Sequence, residues 1–219
     1  MFNYQRFQQD ERELKFCYTN IGVSSLSWVG QRFPVNRIPR GYDNVNQRTG
    51  RVITQHFCKL RGFLQLQKTE DIPWTGPNGD FSPSQITRLM IIEDLQPTGA
   101  GFTLTDLFQE TPSQYALPSD FKFSNINRFR IWFDKSYPFD AFAYKTGVIE
   151  GFVNRTIYWI DEDIDLHGLQ TVYGASPGVD ILTSSLTFVA VSTANTPPVG
   201  GTQNGTSGSF RCTIGFYDD

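Results

Sequence analysis

The sequence predicts an all-β sandwich. Three observations carry that prediction. Apolar residues recur at every second position over short runs, which is the period of a half-buried strand and not of a helix. Aromatics supply 15% of the 219 residues, including 19 Phe, and such side chains favour pleated, half-buried surfaces. Nineteen Gly and twelve Pro are spread along the length, dividing the chain into many short strands joined by turns. A chain of this size can bury one sizeable core, and all-β domains of this length commonly stay undivided. With so much aromatic content, disorder is not expected.

Taken in order, residues 1–12 are polar with scattered Phe and Tyr and read as an N-terminal arm, leaving 13–219 as the folded domain. Between Glu13 and Ser27, Leu14, Phe16 and Tyr18 alternate with Lys15, Cys17 and Thr19, which predicts the first strand. Residues 30–50 read as loop, punctuated by Pro34, Pro39, Gly41 and Gly50. Arg51–Lys68 is the clearest long strand. Cys58, Leu60, Gly62, Leu64 and Leu66 share one face, Lys59, Arg61, Gln65 and Gln67 the other, and the contrast breaks at Phe63. Residues 69–83 hold three Pro and two Gly and read as an exposed excursion.

The central element is Arg88–Gly99. Leu89, Met90, Ile91 and Ile92 form an uninterrupted apolar run, expected as a strand from about Ile86 to Leu95 buried on both faces. Pro97 has no N–H for a ladder and Gly99 tolerates positive φ, so a turn follows. Thr103–Phe108 suits one helical turn capped by Thr103 or Thr105. After a loop at 109–127, Phe129, Ile131 and Phe133 alternate with Arg130, Trp132 and Asp134 in a strand from about 128 to 137. Val148–Ile160 reads as a strand buried on both faces. Gln170–Gly174 adds a short one, and Leu186–Ser192 and Phe210–Tyr217 close the series after a polar loop at 193–209. About eight widely spaced strands with long loops argue against an up-and-down meander and for an eight-stranded jelly-roll sandwich.

Charge is uneven. Residues 1–61 hold ten Lys/Arg against four Asp/Glu, a net of +6; the remainder holds nine against eighteen, a net of −9. A basic N-terminal part on an acidic body suggests one surface facing an anion. The three cysteines, Cys17, Cys58 and Cys212, lack Cys-x-x-Cys spacing, so neither a disulfide framework nor a zinc site is indicated, and reduced buried thiols are expected. The opening residues lack the apolar core of a signal peptide, and no window is apolar enough for a membrane span. Asn154-Arg155-Thr156 and Asn204-Gly205-Thr206 match the glycosylation acceptor pattern, read here as chance.

The sequence carries no recognisable catalytic pattern. The two histidines, His56 and His167, stand apart in sequence, so the His-x-His of a cupin-type metal site is missing. Asp161, Asp163 and Asp165 resemble a calcium loop at first sight, but position six is Leu166 and position twelve is Val172, where Gly and Glu are required. They remain weak metal candidates, read first as a solvated acidic loop. There is no Gly-x-Ser-x-Gly elbow. Glu93 and Asp94, adjacent on a strand, point to opposite faces and cannot act as a dyad. Gly99-Ala100-Gly101 lacks the third glycine and the βαβ setting of a dinucleotide site. The chain is expected to be no enzyme and to need no cofactor. Binding is better supported: Arg6, Arg12 and Lys15, interleaved with Phe2, Tyr4 and Phe7, are the nucleic-acid candidates. Arg37, Arg40, Arg48 and Arg51 form a second, loop-borne group suited equally to ion pairs at a subunit contact.

Several segments in this order resemble the capsid proteins of small circular Rep-encoding single-stranded DNA viruses, the circovirus-like group. They are Glu13-Leu14-Lys15-Phe16 with Thr19, Gly50-Arg51-Val52 leading to Lys59-Leu60-Arg61-Gly62, Arg88 to Asp94 with Gln96-Pro97-Thr98-Gly99, Asn127-Arg128-Phe129-Arg130-Ile131 ending in Asp134, and Arg211 to Asp218. The likeness runs from about residue 13 to the end. It implies a viral jelly roll that self-assembles, as sixty copies in the smallest (T=1) icosahedral shell, around a circular single-stranded DNA genome. It also implies a place in the virion and, in infected cells, in cytoplasm and nucleus, with an unknown host receptor and no membrane insertion. Members of this group usually begin with an Arg/Lys-rich arm. Here only Arg6, Arg12 and Lys15 stand in that region, so the arm at 1–12 is expected to lack the basic segment and DNA binding to be weakened. The alternative from the residues alone is a jelly-roll carbohydrate-binding, lectin-like module, with Trp74, Tyr115 and Trp132 stacking on sugars.

Overall fold

The computed structural model describes residues 13–42, 44–66, 84–99, 101–109, 120–140, 142–146, 149–153, 157–175, 180–193 and 206–218. The expected arm at 1–12, the excursion at 69–83 and most of the loops at 109–127 and 193–209 lie outside them. The strands, in chain order, are β1 (Lys15–Leu26), β2 (Gln31–Pro34), β3 (Val52–Leu66), β4 (Ser84–Asp94), β5 (Phe129–Asp140), β6 (Phe142–Thr146), β7 (Ile149–Val153), β8 (Ile157–Tyr173), β9 (Ile181–Thr183), β10 (Ser185–Ser192) and β11 (Thr206–Asp218). One short helix, α1 (Leu104–Leu107), and a 3-10 turn at Phe123–Asn125 interrupt them.

The protein is an all-β sandwich. One sheet runs β1-β11-β3-β8-β9, the other β2-β10-β4-β5, and β6-β7 form a separate hairpin. Every pairing is antiparallel. Pairing is nested: β1 lies beside β11, β2 beside β10, β3 beside β8 and β4 beside β5. The main core fills the space between the sheets, where Ile21, Leu60 and Ile214 of one meet Leu89, Ile91 and Phe188 of the other. Burial of such side chains contributes about 1.5–3 kcal/mol each, which is what selects the register.

A second core lies on the far side of the four-stranded sheet. Met90, Ile92, Val189 and Val191 project outward from β4 and β10 and are covered by Phe102, Leu104, Leu107 and Phe108. Thus β4 is buried on both faces, as its unbroken apolar run predicts, because α1 and its flanks lie over it. The helical turn forms where expected: Thr103 is the N-cap, and its N–H and Oγ1 both donate to Asp106 Oδ2 at 2.7 Å. A third, smaller core gathers Cys17, Ile38, Ile53, Tyr173 and Phe216.

Four expectations need correction. The described residues hold eleven strands rather than eight. The segment read as loop at 30–50 contains β2, a four-residue edge strand too short to show a period. Asp161, Glu162, Asp163 and Asp165 are not a loop but lie inside the 17-residue β8, where cross-strand cations make an acidic run tolerable. Ile157 and Trp159, expected in a strand buried on both faces, are 45% and 78% exposed, since nothing described covers that side of the sheet.

Candidate nucleic-acid interface

The two sheets differ in what covers them. The outer face of β4 and β10 is closed by the chain itself, while the outer face of β1, β11, β3 and β8 carries the exposed Phe16, Tyr18 and Trp159. This follows from alternation. With Cys58, Leu60 and Leu64 fully buried, the intervening Phe57, Lys59, Arg61 and Phe63 must face outward. The registers set them in rows across the sheet: Phe16, Gly215, Phe57 and Asp165; Tyr18, Thr213, Lys59 and Asp163; Asn20, Arg211, Arg61 and Asp161; Gly22, Ser209, Phe63 and Trp159.

The rows differ in chemistry. At one end the Phe16 and Phe57 rings lie 6.0 Å apart; at the other, Phe63 and Trp159 lie 5.8 Å apart. Gly215 suits the first pair, because a Cβ there would run into the Phe57 ring. Between the aromatic ends lie the charges. Arg61 Nε pairs with Asp161 at 2.8 Å, which pushes the Arg61 guanidinium up from its ordinary value through that hydrogen bond. Lys59 pairs with Asp163 at 3.2 Å. Arg211 has no acidic partner among the described residues; its guanidinium sits 5.2 Å from the Tyr18 ring and donates to Asn20 Oδ1 at 3.2 Å. An exposed cation resting on an exposed ring leaves its charge available to an anion.

The sequence-derived candidates fare differently. Arg6 and Arg12 lie outside the described residues. Lys15 is engaged: its Nζ is 2.7 Å from Asp218 Oδ2, which also accepts from Thr49, so it ties β1 to the end of β11. The loop-borne arginines do not form one patch. Arg48 is fully buried, stacked 4.0 Å from the centroid of the Tyr173 ring, with Nε donating to Ile38 O. Burial lowers the Arg48 pKa and raises that of Tyr173. Arg40 and Arg51 donate to the carbonyls of Thr49 and Tyr173, and Arg37 points outward.

Asp161, Asp163 and Asp165 share one face of β8 but each has its own partner: Arg61, Lys59 and His167, the last at 3.2 Å. Among the described residues no cluster of His, Cys, Asp or Glu could hold a metal ion. Glu93 and Asp94 do point to opposite faces. Glu93, fully buried, accepts from Trp132 Nε1 at 2.9 Å and faces Arg130 at 3.5 Å. Asp94 takes a bidentate pair from Arg128 at 2.9 and 2.8 Å and accepts from the Gln96 N–H at 3.1 Å. Trp132 is therefore packed and engaged through its indole N–H, while Trp74 and Tyr115 lie outside the described residues. The three cysteines are free and buried, with Cys58 Sγ 3.2 Å from Cys212 Sγ. That contact and burial push the Cys212 thiol well up, keeping it neutral.

Sequence reasoning placed the cations of Lys59 and Arg61 on an outer face but not the aromatic surface around them. The signal was present in the break of alternation at Phe63. What marks a surface with a use is contiguity, and in the fold Phe63 stands beside the exposed Trp159. No protein-family model and no curated protein matches this chain.

Proposed function

We propose that the chain is a structural, shell-forming subunit of jelly-roll type, not an enzyme. The nested pairing of first strand with last, second with next to last, and so inward to β4 with β5, supports this reading. It is the wrap that brings two Greek keys into one sandwich. Such a wrap serves lectins and cupins as well as capsids, so fold alone does not assign the role. The particular reading is a capsid protein of the circovirus-like group of small circular single-stranded DNA viruses. It would assemble with copies of itself, sixty in the smallest icosahedral shell, around the genome, in the virion and in the cytoplasm and nucleus of infected cells.

The observation that carries the reading is the nested wrap, joined to the resemblance of the Arg88–Gly99 strand and turn. In that stretch Arg88 and Asp94 project to the outer side of β4, where each is clamped by an ion pair to Asp134 or Arg128. The polar residues that carry the likeness thus lock β4 to β5. The carbohydrate-binding alternative draws no support from Trp132, whose N–H is engaged by Glu93. The test is particle mass. Purified chain examined by light scattering and negative-stain microscopy is expected to yield closed particles of megadalton mass. A stable monomer at every salt concentration and pH tried would overturn the proposal.

A further inference from the structure

We propose that the outer face of β1, β11, β3 and β8 is a stacking platform for single-stranded nucleic acid, with Tyr18, Phe63 and Trp159 receiving bases and Arg211 a phosphate. The choice of polymer rests on the shell reading above; the existence of the platform rests on the face itself.

Three features of the face select this occupant. The first is the order of chemistry along the outward side of β3: Phe57, Lys59, Arg61, Phe63, an aromatic at each end and two cations between. Successive outward residues of a strand stand about 6.6–6.8 Å apart, on the scale of the repeat of an extended sugar–phosphate backbone. Aromatic faces accept any unpaired base and cations follow the backbone, which is how sheets and grooves hold single strands without reading sequence.

The second is exposure. Trp159 at 78% and Tyr18 at 56% are the most accessible rings of this face, standing on strands three spacings apart, about 14 Å. An aromatic held this far out of the core contributes little to folding, so its placement calls for a contact. The third is the arrangement of charge. Asp161 and Asp163 are compensated by Arg61 and Lys59, whereas Arg211 faces no carboxylate among the described residues. Arg211, the cation without a carboxylate partner, thus lies in the row beside Phe63 and Trp159, while Asp165, next to His167, lies in the row of Phe16 and Phe57 at the opposite end.

A second copy of the chain fits this face less well. Protein interfaces place apolar residues at the centre and charge at the rim. Here the two central rows hold the paired charges and Arg211, with Tyr18 the only aromatic among them, and the aromatic pairs lie at the ends.

Binding of a labelled oligothymidylate, followed by fluorescence polarisation with light scattering on the same samples, tests the inference. Wild type is expected to bind in a salt-sensitive manner and to prefer the single strand over a duplex. Trp159→Ala and Tyr18→Ala are each expected to weaken binding by about 5- to 150-fold, with melting temperature and particle mass unchanged. Arg211→Gln should lower the salt dependence by about one released ion. Asp161→Asn should tighten binding by freeing Arg61. Absence of binding by wild type, or variants that bind as it does, would overturn the platform even if particles form. Variants that alter particle mass but not oligonucleotide affinity would overturn it in favour of a contact between copies. Oligonucleotide bound by a persistent monomer, and lost in the variants, would uphold the platform and sink the shell.

Discussion

Individual ion pairs in this protein differ sharply in worth, and burial decides which matter. Arg88 is clamped by both oxygens of Asp134, at 2.7 and 2.6 Å, with its guanidinium against the Phe108 and Phe121 rings and its side chain 5% exposed. Asp134→Ala strips the carboxylate from a cation that burial has already deprived of water. It is expected to cost about 3 kcal/mol, read as a lower urea midpoint at unchanged slope. The exposed Lys59–Asp163 pair should contribute within about 0.5 kcal/mol in the same assay. Asp106 makes a pH-dependent contribution. The Thr103 side chain and N–H hold its carboxyl below the usual carboxylate value. A carboxylate with a depressed folded pKa stabilises in full above its unfolded value and loses that effect as pH falls through the folded one. Melting temperatures of wild type and Asp106→Asn should therefore differ most at neutral pH and converge below about pH 4. A difference that grew on acidification would contradict the assignment.

Among the elements, α1 and β8 matter beyond their own geometry. The four residues of α1 are too few to be stable alone; the turn persists because Leu104 and Leu107 bury themselves on the outer side of β4 and β10. Leu107→Ala should cost about 2–5 kcal/mol, and binding of a hydrophobic dye should rise as Met90 and Val189 lose their cover. Thermal stability within error of wild type would show that the flap does not seal that face. Strand β8 is long, acidic and irregular. It bulges at Leu166–Gly168, where His167 and Gly168 take positive φ of 50° and 75° and the Asp165 carboxylate accepts from the His167 N–H at 2.8 Å. Two of its outward acids, Asp161 and Asp163, are matched by the directly opposite Arg61 and Lys59 of β3, which favours this pairing of the two strands.

For the whole molecule, the consequential feature is asymmetry between two faces of one sandwich. Among the described residues, the chain covers its four-stranded sheet, while the other bears the exposed Phe16, Tyr18, Ile157 and Trp159. A shell subunit needs distinct sides, and the particle-mass and oligonucleotide experiments ask separately whether the subunit assembles and whether the bare side holds nucleic acid. Much of this architecture was legible beforehand. Alternation around Cys58, Leu60 and Leu64 identified the inward face of β3, and the unbroken run from Leu89 to Ile92 identified a strand covered on both sides. The surface proposed for nucleic acid was legible only in fragments. Lys15 looked available because its partner Asp218 lies 203 residues away. Arg48 looked like a surface cation because nothing local reveals that Tyr173 will stack on it.

The sequence by itself determined the all-β class, the two-faced burial of the central strand, a capped turn beginning at Thr103 or Thr105 and the divergence of Glu93 and Asp94. All are consequences of local geometry: the two-residue period of a strand, the orphan donors of a helix start, the steric properties of Pro and Gly. Only the tertiary structure decided which charges are spent in pairs, which aromatics remain exposed, and that the acidic run belongs to a strand facing cations. Those outcomes depend on register between segments remote in the chain. Register is set by how two hydrophobic faces fill one core, and not by any short stretch of residues.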